Sequence, residues 1–152
     1  MLLFLAAGLS LAQTKTTPHE LFMLPQVRTP QAKVGSEVDV RVGFELRQGF
    51  HVQSNTPSDP YYIPLKLTWN AGLLRPGSVV YPKPKMERYS FSKTPLSVFT
   101  DSFEVATKFQ VPPGTPPGPT PLTAKVRYQA CRDDRCQPPR DLDITVRVNV
   151  VP

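Results

Sequence analysis

The chain has 152 residues, enough for one domain that buries its own core without disulfides or metals to hold it. The formal charge is +6, yet the basic residues are scattered among acids and form no block with interleaved aromatics. That excludes a nucleic-acid footprint and leaves a mild positive field suited to acidic partner surfaces. The 19 prolines spread along the chain and favour short strands joined by many loops over long helices.

Met1 to Leu11 is apolar and small, with Ser10 and Ala12 at the small-residue positions of an export cleavage site and Gln13 next. Residues 1–12 read as a secretory signal peptide, although no Lys or Arg precedes the apolar run. The competing reading is a buried first element. No apolar run reaches about 18 residues, so no spanning helix is expected. An exported bacterial protein, periplasmic or secreted, would keep its cysteines in an oxidising compartment.

The elements that follow are strands. Leu21 to Val27 is a short candidate, and Val34-Gly35-Ser36 signals a turn. Val38, Val40, Val42, Phe44 and Leu46 alternate with polar residues, as a strand with one wet face requires. Leu65, Leu67 and Trp69 repeat the pattern, Arg75-Pro76-Gly77 reads as a turn, and Ser78 to Tyr81 is another short strand. Phe103, Val105, Thr107, Phe109 and Val111 share one parity. PPGTPPGPTP, residues 112 to 121, reads as an extended connector rather than a ligand for a proline-binding domain. Leu122, Ala124, Val126, Tyr128 and Ala130 form the next inward set, and Leu142, Ile144, Val146, Val148 and Val150 the last. Seven or eight strands with no amphipathic helix predict an all-β fold, an immunoglobulin-like antiparallel β-sandwich in a single domain after the signal peptide.

The only two cysteines, Cys131 and Cys136, lie in YQACRDDRCQPPR, residues 128 to 140. Cys131 is out of phase with the inward set and points away from the core if the strand stays regular. A hairpin across Arg132, Asp133, Asp134 and Arg135 would set the cysteines opposite each other, bridged and near the surface. Closing a loop of about six residues stabilises a fold by only roughly 2 kcal/mol in the chain-entropy model. Two readings stay open: a reagent that exchanges electrons with another protein, or a staple in a secreted immunoglobulin-like binding module. The charges do not choose, since Arg132 and Arg135 favour a thiolate and Asp133 and Asp134 oppose it. Cys131, Cys136, His19 and His51 are the only Cys and His residues. The C-x4-C spacing could hold a soft metal, but the histidines are distant in sequence and a lone His on a strand is usually structural or solvated; no metal is expected. No Ser-His-Asp set or glycine-rich phosphate loop is present.

YQAC-x4-C-x-PP, between a long strand and a terminal strand, resembles the N-terminal periplasmic domain of the bacterial thiol:disulfide interchange protein DsbD. GFHVQSNTPSDPYYIPLKLTW is similar to a further segment of that family, and the likeness runs from Leu21 to Val151. The resemblance implies a domain over residues 20–152 with an immunoglobulin-like fold and an exposed redox pair. It implies that Cys136 attacks a partner's bridge and Cys131 resolves the mixed disulfide, with Tyr128, Gln129, Arg132, Asp133, Asp134, Arg135 and Pro138 flanking the pair. It implies an aromatic cap over the sulfurs, for which PKPKMERYSFSKTP offers Tyr89 and Phe91; the competing reading is that both rings only pack on the sandwich edge. The implied partners are periplasmic thioredoxin-like proteins and a membrane thiol reductase domain, with no organic cofactor and a monomeric state. Family members continue into a membrane domain and a thioredoxin-like domain, whereas this sequence stops at Val151-Pro152. It is therefore a stand-alone version, one part of a split system, or a fragment.

Overall fold

Alternation of apolar and polar residues sets the long strands. In β3 (Glu37–Leu46) every second residue is buried, from Val38 to Leu46. The same alternation runs through β9 (Ser102–Gln110), β10 (Gly118–Tyr128) and β13 (Arg140–Val151). The computed structural model describes residues 17–152, so the expected signal peptide at residues 1–12 lies outside the described residues. Among these there are thirteen strands and no helix.

Two four-stranded sheets form an immunoglobulin-like sandwich. One has the order β1 (Leu21–Met23), β3, β9, β6 (Arg75–Val80), all antiparallel. The other runs β2 (Gln31–Lys33), β13, β10, β5 (Lys66–Trp69), with β2 parallel to β13. Their inner faces share one cluster, in which Val40, Phe44, Val105 and Phe109 meet Leu67, Val126, Tyr128, Ile144 and Val148. Each fully buried side chain of this size contributes roughly 1.5–3 kcal/mol. Trp69 ties the layers together: its ring meets Phe109 edge-on at 4.9 Å, and its indole N–H donates to Thr107 Oγ1 at 3.0 Å.

A third, five-stranded sheet went unseen in the periodicity. Its order is β12 (Arg135–Cys136), β11 (Ala130–Arg132), β4 (His51–Gln53), β8 (Leu96–Thr100), β7 (Lys85–Glu87). Its strands have two to five residues each, too short to show a period. In β4 all three residues are buried, so no wet face breaks the pattern. One face joins the main core through Val52, Phe99 and Ala130. Phe99 stacks on Phe103 at 4.7 Å, and Phe103 on Phe44 at 5.5 Å. This aromatic row fixes the third sheet against the sandwich.

Proline explains the other departures from expectation. The first strand ends at Met23 rather than Val27, because Pro25 has no N–H for the ladder; Gln26 then crosses to the other sheet and clamps the Arg147 backbone at 2.8 and 3.0 Å. Arg75-Pro76-Gly77 is not a turn but the start of β6, an edge strand whose register shifts between Pro76 and Val79. The proline-rich stretch is not extended throughout. It turns at Pro113 and Gly114, where the Thr115 amide donates to the Pro112 carbonyl, and residues 118–121 then belong to β10. Pro119 and Pro121 are tolerated there because β5 pairs only from Ala124 onward, so their nitrogens face an open edge.

Candidate redox site

Strand β10 ends at Tyr128, the chain breaks step at Gln129, and β11 enters the third sheet. The expected hairpin follows: Cys131 pairs with Cys136, Arg132 with Arg135, and the tip is Asp133-Asp134. Asp133 adopts φ 53°, a left-handed conformation that Asp tolerates better than most residues. Cys131 and Cys136 are joined by a disulfide, with Cα atoms 3.9 Å apart. The Gln137 amide donates to the Ala130 carbonyl at 2.8 Å and closes the ladder beyond the bridge.

The two sulfurs have opposite environments. Cys136 lies on an exposed edge strand, whereas Cys131 is 0% exposed. This corrects the expectation of a pair near the surface. Ala130 faces the main core and Cys131 the other side, as the parity predicts. That other side is roofed instead of wet. Residues opposite each other in a ladder share a face, so Cys136, Cys131, His51 and Thr100 form one row. Gln53, Val98 and Lys85 form the next. On this face Cys131, His51, Gln53, Val98 and Leu96 are all buried.

The segment after β7 supplies part of the roof. Tyr89 stacks on the His51 ring at 4.1 Å with the planes 21° apart, and Phe91 stacks on Tyr89 at 5.4 Å. The Tyr89 hydroxyl donates to Glu87 Oε2 at 3.0 Å. Burial pushes this hydroxyl well above the usual tyrosine range, and the Glu87 carboxylate pushes it further. Burial lowers the pKa of His51, with a smaller opposing pull from Glu87. Burial thus favours the neutral form of the His51 ring.

The remaining flanking residues divide by role. Tyr128 is wholly buried and belongs to the core; its hydroxyl donates to Glu20 Oε2 at 3.0 Å and lies 2.8 Å from His19 Nδ1. Arg140 joins this cluster, 3.4 Å from Glu20 Oε2, and donates to the carbonyls of Thr17 and Pro18. Gln129 Nε2 donates to the Gln137 carbonyl at 3.3 Å and braces the hairpin base. Arg132 extends over the Phe50 ring at 5.6 Å, beside Gly49 at φ +86°. Asp133, Asp134, Arg135 and Pro138 are exposed around Cys136. Pro138 lines a groove with Thr17, Glu20, Gln137 and Arg140.

His51 and Gln53 were missed as site residues. Three residues are too few to show a period, and sequence spacing gives no hint that β4 lies beside β11. No group of three or more His, Cys, Asp or Glu side chains that could hold a metal occurs among the described residues.

Comparison with known proteins gives the family. A sequence profile for the N-terminal domain of the thiol:disulfide interchange protein DsbD matches residues 19–147. No curated protein sequence matches the chain significantly. Among solved structures, the Neisseria meningitidis DsbD N-terminal domain in its reduced form is 19% identical, with 76% of this chain and 82% of that one covered at a TM-score of 0.49. The N-terminal periplasmic domain of ScsB from Proteus mirabilis is 9% identical, with 78% of this chain and 43% of that one covered at a TM-score of 0.51. Over most of its length, including the bridged hairpin, the chain belongs to the DsbD N-terminal domain family.

Proposed function

We propose that this domain carries electron pairs in the bacterial periplasm, from a membrane thiol reductase domain to thioredoxin-like proteins, with its own disulfide as the carrier. Membership of the DsbD N-terminal family supports thiol–disulfide exchange as the chemistry. The observation that carries the assignment is the asymmetry of the bridge: Cys136 exposed at a sheet edge, Cys131 fully buried. In the reduced domain the Cys136 thiolate attacks a partner disulfide and forms a mixed disulfide. Cys131 then attacks the Cys136 sulfur, the bridge closes, and the partner leaves as a dithiol. The thiols hold the electrons, so no organic cofactor takes part. Tyr89 and Phe91 act as the cap, which lifts when a partner docks.

The test is the reduction potential of the Cys131–Cys136 bridge in the folded protein, read by equilibration with glutathione or dithiol buffers. A value within roughly −120 to −270 mV, with the fold retained on reduction, is expected of an exchange domain. A value below about −300 mV, or unfolding as the bridge opens, would make the bridge a staple and remove the redox role.

A further inference from the structure

Three buried side-chain atoms among the described residues lack a hydrogen-bond partner: His51 Nε2 and both amide atoms of Gln53. All belong to β4, and both side chains share the face that carries Cys131. Buried polar atoms are paired as a rule, so an orphan asks for a reason, and a redox or catalytic role is one. His51 is 3% exposed and stands directly opposite Cys131 in the ladder. Opposed residues in an antiparallel pair place their Cβ atoms roughly 4.5–5.5 Å apart, within reach of an imidazole and a thiol. In the bridged state the Cys131 sulfur has no proton to donate. In the dithiol state it does.

We propose that His51 is the proton acceptor for the buried Cys131 thiol, taking the proton as Cys131 closes the bridge. This inference deepens the exchange function proposed above and rests on it. The Cys131 S–H bond breaks and its proton passes to the imidazole. The Cys131 sulfur bonds to the Cys136 sulfur, and the bond from Cys136 to the partner's sulfur breaks. The partner's sulfur leaves with the electron pair as a thiolate. Cys131 and Cys136 are thereby oxidised together, and the partner disulfide is reduced. In the reverse direction His51 returns the proton to the Cys131 sulfur.

The surroundings suit this task. Tyr89 from the cap stacks on the ring and fixes its plane. Thr100 on β8 and Cys131 on β11 flank it in the ladder. From β7, Glu87 holds the Tyr89 hydroxyl, while Lys85 is turned to Thr100 Oγ1 and Asp101. Among the described residues no cation is bonded to the ring, and burial favours its neutral form, the form that can take a proton. A buried thiol with no base beside it would have to ionise unaided in an apolar site, which desolvation opposes.

The experiment uses reduced protein and an excess of the aromatic disulfide Ellman's reagent, followed by stopped-flow absorbance. Attack by Cys136 releases one coloured thiolate, and closure by Cys131 releases a second. His51→Phe keeps a ring under Tyr89 but removes the base; His51→Gln serves as the second variant if the first does not fold. The first phase should be unchanged. The closing phase at pH 7 should slow by about a hundredfold, the lower end of general acid–base catalysis. The rates should converge at high pH, where the thiol ionises without help. A purely structural role would not produce that convergence. A closing phase with the wild-type rate and pH profile in a folded variant overturns the assignment. A wild-type protein that gives no closing phase overturns the exchange function itself, and the assignment with it.

Discussion

At the scale of single residues, Tyr128 shows how a side chain next to a redox motif can serve the fold. It lies three residues before Cys131, yet its ring is wholly within the core and its hydroxyl donates to Glu20. Through that bond, with Arg140 and His19, it fastens the segment from Thr17 to Glu20 across the end of the sandwich. Tyr128→Phe should lower stability by about 1.5–3 kcal/mol, the usual worth of a hydrogen bond to a charged group, as read by urea unfolding at pH 7. The pH dependence has a definite sign. Burial first, then the Glu20 hydrogen bond and charge, raise the Tyr128 hydroxyl from 10.0 to about 12, against a smaller pull from Arg140. The neutral phenol is thus favoured in the folded state. Its stabilisation is complete below pH 10 and is lost as the pH rises through about 12. The gap between wild type and Tyr128→Phe should therefore narrow over that interval. A gap that stays constant there would show that the hydroxyl titrates alike in both states.

At the scale of elements, the third sheet and the segment that carries Tyr89 and Phe91 leave a hairpin disulfide half covered, with Cys131 buried and Cys136 exposed. The four long strands were legible because each has one core face and one wet face over nine or more residues, as in β3 and β13. The hairpin was legible because two cysteines flank a turn-like tip, and Cys131↔Cys136 is the register found. The roof was not. β4, β7 and β8 have three to five residues each, and β4 and β8 are buried on both faces, so alternation carries no information about them. Only the resemblance to a family pointed to Tyr89 and Phe91, and nothing in the spacing pointed to His51. The contact of Tyr89 with His51 is the stack that would have to open if the segment lifts as the proposed cap. An aromatic stack contributes about 0.5–1.5 kcal/mol beyond area, and 1.4 kcal/mol is tenfold in an equilibrium. Tyr89→Ala should accordingly speed reduction of the bridge by a small dithiol by about two- to tenfold, with the folded spectrum unchanged. Reduction that is no faster in the variant would mean that the rings pack on the sheet without guarding the sulfurs.

At the scale of the whole molecule, the question is whether the site can change its covalent state without disturbing the scaffold. The bridge spans a sequence separation of five, and a loop that short contributes about 2 kcal/mol in the chain-entropy model. Two fully buried side chains of the size of Val148 and Phe109 contribute more than that. Moreover, among the described residues the main cluster is drawn chiefly from the two four-stranded sheets and includes only Val52, Phe99 and Ala130 of the third. Neither cysteine belongs to it. On these magnitudes the scaffold should stand without the bridge, as the proposed carrier, cycling between dithiol and disulfide, requires. The double variant Cys131→Ala, Cys136→Ala removes the bridge and leaves a small void at Cys131. It should unfold in urea as one cooperative transition with an unchanged slope, about 2–3 kcal/mol less stable than the oxidised protein. A loss above about 5 kcal/mol, or a second transition, would mean that the bridge holds the third sheet in place. Opening it would then dismantle the surface that a partner must meet.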